Sequence, residues 1–249
     1  MKPSNFKLIP FLTLLLSSCS PDAIIDEELS NQTNSNGIDT TPTNTKVWAF
    51  NELKEWEDAS FKGIANYSIE NGSLNIFTTA ATWERNKVKT ISSFDEGTYT
   101  WRVYIPEMGV GDKASIGAFL YYNDTHEIDF EIGYGSKTKR AELKAEADDL
   151  LVYMTSQGNP FHSQQVKIKR AAWYTLSVNL TLNSNNQYIT TWKINDITRS
   201  SVQLTYGNNT KFNIYCSVEN LDFIGDHIPS IKNYALFDSV EFKENIKRK

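Results

Sequence analysis

The stretch His126-Glu127-Ile128-Asp129-Phe130-Glu131 alternates acidic and apolar side chains. Period two is the period of a β-strand, so Glu127, Asp129 and Glu131 share one face while Ile128 and Phe130 take the other. Like charges in a row on one face repel, which costs stability and raises each acid's pKa. Exposed strand faces ordinarily mix signs, and this one does not. The row reads either as the solvated face of a surface strand or as a site that needs one protonated and one ionised carboxyl, because coupled acids can share a proton near neutral pH.

Outward from this stretch the chain is short strands punctuated by turn residues. Asn123-Asp124 is a hairpin turn joining the acidic strand to the apolar run Ala114 to Tyr122. Earlier runs are Leu74 to Thr78, Val88 to Ser93 and Tyr99 to Ile105, the last stopped by Pro106. Later ones are Arg140 to Glu146, Leu151 to Thr155, Val166 to Lys169, Tyr174 to Leu182, Tyr188 to Ile194, Val202 to Thr205, Phe212 to Val218 and a closing Ala235 to Phe242. Long helical periods and internal repeats are missing. So many strands in one domain imply two packed antiparallel sheets, a sandwich or jelly roll. The acid row is then expected on the outer face of one sheet, with Ile128 and Phe130 in the core.

The N-terminus has its own logic. Lys2 and Lys7 precede the apolar run Leu8 to Leu16, which is too short to span a bilayer, and Leu16-Ser17-Ser18-Cys19 resembles a lipoprotein processing box. Residues 1–18 are expected to be a signal peptide and Cys19 a lipidated first residue. Residues 19–46 are polar and turn-rich and read as a tether, and 47–249 as the folded domain. This predicts a bacterial envelope protein held to a membrane by lipid, on its periplasmic or cell-surface side.

Of the 25 basic and 30 acidic residues, Lys2 and Lys7 leave with the signal, so 23 basic residues face 30 acidic ones and the mature charge is −7. That sign argues against a nucleic-acid partner and favours an uncharged one. Cys216 is left without a partner cysteine and reads as a core residue. His126, His162 and His227 show no metal-ligand spacing, so neither a metal nor another cofactor is expected.

Glu127-Ile128-Asp129-Phe130-Glu131 resembles the Glu-x-Asp-x-Glu signature of glycoside hydrolase family 16, the laminarinase and lichenase group. Gly97 to Pro106 resembles that family's strand from a glycine and aromatic pair to a proline, and Phe237 to Phe242 its final strand. The resemblance runs from about Val47 to Lys243, with only the five-residue motif specific. It implies an all-β, concanavalin A-like β-sandwich and endo-acting, retaining cleavage of a neutral β-glucan or galactan. By position it implies Glu127 as nucleophile, Glu131 as general acid and base, and Asp129 as the group setting their protonation. Two carboxyls can supply both the proton for the leaving oxygen and the negative charge at the sugar carbon.

The chain also departs from that family. A Trp-Pro-Ala-x-Trp stretch is usual on the strand before the motif, and here the matching residues are Ile116-Gly117-Ala118-Phe119-Leu120, aliphatic at both tryptophan positions. Replacement sugar platforms are sought in Tyr121, Tyr122 and Tyr134, and further substrate contacts in Trp101 and Trp192. Trp101 is expected in the same sheet region as the acids, and Arg140 on a strand opposite them, lowering a carboxylate's pKa. His126 should point away from the acid face. The rival to hydrolysis is a carbohydrate-binding lipoprotein on the same fold with vestigial acids, and a third reading is a structural envelope protein.

Overall fold

The computed structural model describes residues 44–61 and 65–245. The expected signal peptide, Cys19 and all but the end of the tether lie outside the described residues. Thr45 and Lys46, expected in the tether, already belong to the first strand, so the folded domain includes them.

Among the described residues, fifteen strands and one short helix follow in chain order. They are β1 (Thr45–Trp48), β2 (Trp56–Asp58), β3 (Tyr67–Glu70), β4 (Ser73–Thr78), β5 (Arg85–Thr90), β6 (Gly97–Ile105), β7 (Ala114–Asn123) and β8 (His126–Gly133). After α1 (Lys137–Glu142) come β9 (Asp149–Ser156), β10 (His162–Lys169), β11 (Ala172–Leu182), β12 (Gln187–Ile194), β13 (Ile197–Gly207), β14 (Asn213–Asn220) and β15 (Asn233–Glu244).

The strands form two antiparallel sheets, the sandwich expected from their number and alternation. One runs β13-β12-β11-β6-β15-β4-β3, with β1 also on β15, and the other β10-β9-β8-β7-β14-β5-β2. Most neighbours in the first sheet and half of those in the second are distant in sequence, as in a jelly roll. Alternation puts Tyr99, Trp101, Val103 and Ile105 of the first sheet against Ile116, Leu120, Ile128, Phe130 and Ile132 of the second. That shared core has no place for the acids, so they occupy the second sheet's outer face. Cys216 is a free, buried core cysteine.

The residues Arg140 to Glu146 do not make a strand. Gly135 turns the chain at φ +87°, a conformation costly for a residue with a Cβ, and Ser136 then caps α1 by accepting from the Lys139 amide. Leu143 and Ala145, which follow α1, and the turn at Leu221 and Ile224 pack on Leu151 and Tyr153, covering one end of the outer face of the second sheet.

Candidate active site

Residues directly opposite each other on neighbouring strands point to the same face, so strand register fixes what shares the outer face with the acids. One row reads Gln165, Tyr153, Glu131, Gly117, Ser217, Lys87 across six strands. The next reads Ser163, Thr155, Asp129, Phe119, Tyr215, Lys89. Glu127 lies beyond, opposite Tyr121. The three acids are therefore together on one face, as their spacing predicts.

They do not lie open to bulk solvent. Asp129 is 1% exposed and Glu131 7%, while Glu127 is half-buried. A cavity of about 630 Å³ opens beside them, bounded by Phe61, Arg85, Lys87, Phe119, Tyr121, Asp124, Glu127, Glu131, Tyr215 and Glu219. Gly117 makes room for its neighbours: a Cβ there would fall 2.3 Å from Ser217 Oγ and 3.1 Å from Glu131 Oε1. The Ser115 hydroxyl donates to Glu131 Oε2, and the Gln157 amide donates to Asp129 Oδ2 at 2.9 Å.

A fourth carboxylate belongs to the cluster. Glu219 is buried next to Ser115, and its Oε2 takes Arg85 Nε at 2.5 Å and Lys87 Nζ at 2.9 Å. Burial pushes Glu127 up to about 8, with the charges of Asp129 and Glu219 adding to it and Lys87 pulling back. Burial likewise pushes Asp129 up to about 7 against the pull of the Gln157 amide. Glu131 is driven well above the carboxylate range, first by burial and then by Glu219 and Asp129. The cluster thus retains protons near neutral pH, with Lys87 alone among its cations pulling Glu127 part of the way back.

The aromatic partners of the acids differ from those expected. Phe119 stacks on Tyr215 with centroids 4.6 Å apart and planes at 14°, and Tyr121 meets Tyr215 edge-on at 5.8 Å. Of the sought platforms only Tyr121 lines the cavity. A β-bulge between Tyr121 and Asn123 leaves Tyr122 out of the pairing with the acid strand. The unbroken register from Ser115 to Tyr121 puts Phe119 and Tyr121 with the acids while Ile116 and Leu120, at the tryptophan positions of the resemblance, enter the core. Tyr122 is turned away and meets His126 edge-on, and His126 leaves the acid face as predicted, packing on Tyr206 at 4.3 Å.

Trp101 and Trp192 are corrected from substrate contacts to core. Both are 0% exposed and both belong to the sheet opposite the acids. Each satisfies its buried indole N–H on a main-chain carbonyl behind the cleft, Trp101 on Tyr215 at 3.1 Å and Trp192 on Asp129 at 3.0 Å. Arg140 is corrected from an electrostatic partner to a structural bolt. Its guanidinium donates to the carbonyls of Tyr134, Asp149 and Glu146 and lies 3.8 Å from the Tyr134 ring centroid. Tyr134 is thereby occupied by Arg140 and does not line the acid cavity.

One further acidic group stands apart from the cleft. Glu146, Asp148 and Asp149 converge, and the ammonium of Lys169 sits among them at 2.8–3.0 Å.

No family model and no curated protein matches the chain. Solved structures do. A Bacillus licheniformis β-glucanase is 13% identical with a TM-score of 0.57, over 81% of this chain and 98% of that one. A Bacteroides ovatus GH16 protein from a mixed-linkage glucan locus, in complex with an oligosaccharide product, is 13% identical with a TM-score of 0.57, over 79% and 99%. The laminarinase catalytic domain of Thermotoga maritima is 12% identical with a TM-score of 0.56, over 81% and 98%. At these identities the likeness is one of fold.

Proposed function

We propose that this chain is an endo-acting, retaining β-glycoside hydrolase of the glycoside hydrolase family 16 type, acting on a neutral glucan or galactan. The observation that carries the reading is the unequal setting of Glu127 and Glu131 on one strand face. Glu131 is deeply buried, held by Ser115 and crowded by Glu219 and Asp129, which favours its proton-bearing form. Glu127 is less buried, and Lys87 partly offsets the burial that raises it to about 8, so of the two it is the easier to ionise. Pairs of carboxyls in different settings divide the acid and nucleophile roles in this way.

In the first step a Glu127 oxygen bonds to the sugar carbon as the glycosidic C–O bond breaks, and Glu131 gives its proton to the departing oxygen. In the second, Glu131 takes a proton from water, whose oxygen displaces Glu127 and releases the sugar. Arg85 and Lys87 are already committed to Glu219, which supports an uncharged rather than an anionic substrate at this side of the cleft. The known activities of the β-glucanase and laminarinase with this fold are in keeping with the same class.

A second reading is a non-catalytic carbohydrate-binding protein. It is favoured by the raised pKa values, since protonated Glu127 and Asp129 would serve as donors to sugar hydroxyls. Reducing-end release from a panel of β-glucans and galactans separates the two. The hydrolase reading expects release by the wild type and none by Glu127→Gln, and equal release by both would sink it. The N-terminal sequence supports an envelope location with a lipid on Cys19, which metabolic labelling with a palmitate analogue would test against Cys19→Ser.

A further inference from the structure

On the other side of β8 from Arg85 and Lys87, the same outer sheet face carries a second cavity of about 450 Å³. Its floor is Tyr153 and Thr155 of β9 with Ser163 and Gln165 of β10. Thr155 is directly opposite Asp129, and Gln157, which also lines the cavity, donates to Asp129 Oδ2 at 2.9 Å. The two cavities therefore flank the acid strand, and neighbouring strands are only about 4.8 Å apart. An extended chain crossing the acids from the first cavity would enter the second.

The walls of this second cavity are aromatic. Phe161 is 68% exposed and Phe223 51%, an unusual setting for two large apolar rings on one depression. They rise from opposite ends of the strands, Phe161 from the β9–β10 connection and Phe223 from the turn that packs on Gly135. Phe223 is braced edge-on against Tyr153, with centroids 5.6 Å apart at 83°, so its position is fixed by the sheet. The one charged side chain on the lining, Lys139, is paired with Glu142 at 2.7 Å. What remains is hydroxyls and carboxamides, groups that both donate and accept.

We propose that this cavity is a second sugar-binding subsite, in which Phe161 and Phe223 cover the apolar faces of an uncharged pyranose ring and Gln165, Ser163 and Gln157 bond its hydroxyls. Flat rings over the C–H face of a sugar with a few placed polar groups is the composition expected of a small-ligand pocket. A carboxylate or sulfate on that unit would lose its hydration without meeting a free cation, so the subsite selects for neutral units. The assignment rests on the glycoside reading of the acid cluster, and the test separates the two.

The test uses the Glu127→Gln protein, which should bind without turnover, and hexamers of β-linked glucose and of β-linked galactose followed by calorimetry. Phe161→Ala in that background should weaken binding by roughly tenfold, the scale of one lost ring contact. Gln165→Ala should weaken it similarly, and circular dichroism should show both folded, since Phe161 belongs to no core cluster. Binding by the Glu127→Gln parent that neither substitution alters would overturn the subsite and leave the hydrolase reading standing. Weakened binding with no cleavage by the wild type would uphold the subsite and remove the hydrolase reading. If the parent binds neither hexamer and the wild type cleaves no glycan, both fall.

Discussion

The indole nitrogen of Trp192 donates to the main-chain carbonyl of Asp129 at 3.0 Å, across the sandwich from the sheet that carries no cleft acid. Trp101 does the same to the carbonyl of Tyr215 at 3.1 Å. The central strand of the acid row and the strand of the stacked tyrosine are thus each fixed from behind. Two groups that must hold a defined spacing at the front of a sheet are positioned by bonds that never reach the cleft.

Replacing Trp192 with Phe keeps an aromatic ring in the core but removes the donor. The lost bond and the vacated volume should cost about 1–3 kcal/mol. For a domain of this size that lowers the melting temperature by on the order of 2–4 °C per kcal/mol. Calorimetric melting of wild type and Trp192→Phe checks this, and an unchanged melting temperature would show that the bond has no structural weight.

The acid cluster should make stability depend on pH in an unusual direction. Glu127 is raised from 4.5 to about 8 and Asp129 from 3.8 to about 7. Through that window the unfolded chain releases protons that the folded chain holds, so stability is greatest below pH 4 as far as these groups are concerned and falls as pH rises toward 8. Asp129→Asn and Glu127→Gln should therefore raise the melting temperature at pH 8 and leave it nearly unchanged at pH 4. The opposite ordering would mean that the carboxylates are stabilised as charges.

How much of this was readable beforehand depends on the distance over which each feature is encoded. The acid row and the sandwich follow from period-two alternation, which is local. Which of Tyr121 and Tyr122 joins the acids turns on a single bulged residue: counted from the Asn123 to His126 pairing without it, Tyr122 would oppose Glu127, whereas the observed pairing gives that place to Tyr121. Charges alternating from Arg140 to Glu146 imitate a strand, and the local signal against one is Gly135-Ser136, a turn and a helix cap. Trp101, Trp192 and Glu219 depend on which strands share a sheet, which in an all-β fold is settled by non-local pairing that alternation does not carry.

Arg140 should behave as part of the scaffold. It satisfies three main-chain carbonyls between 2.5 and 2.8 Å and covers Tyr134. Arg140→Ala leaves those carbonyls without their donor and should cost roughly 3 kcal/mol or more, and Arg140→Lys, with a point charge in place of a planar fork, nearly as much. Urea unfolding midpoints measure the loss. Per folded molecule, cleavage by Arg140→Lys at a temperature well below its melting point should match the wild type, and a large fall there would return Arg140 to the cleft.

Glu219 and Lys87 should move the pH profile of the proposed hydrolysis in opposite directions. The Glu219 charge raises both Glu127 and Glu131, while Lys87 lowers Glu127. Glu219→Gln removes the raising charge and leaves Lys87 and Arg85 without their carboxylate, so both acids become easier to ionise. Both limbs of the bell in kcat/KM should then shift to lower pH, on the order of 1 unit, as apparent values of the coupled cluster. Lys87→Met removes the cation nearest in effect to Glu127 and should move the acidic limb upward instead. Shifts of opposite sign in the two variants would tie the profile to this cluster. A profile that neither variant moves would mean that the reacting carboxyls do not feel the β5 and β14 side of the cleft, and the assignment of Glu127 and Glu131 would have to be given up.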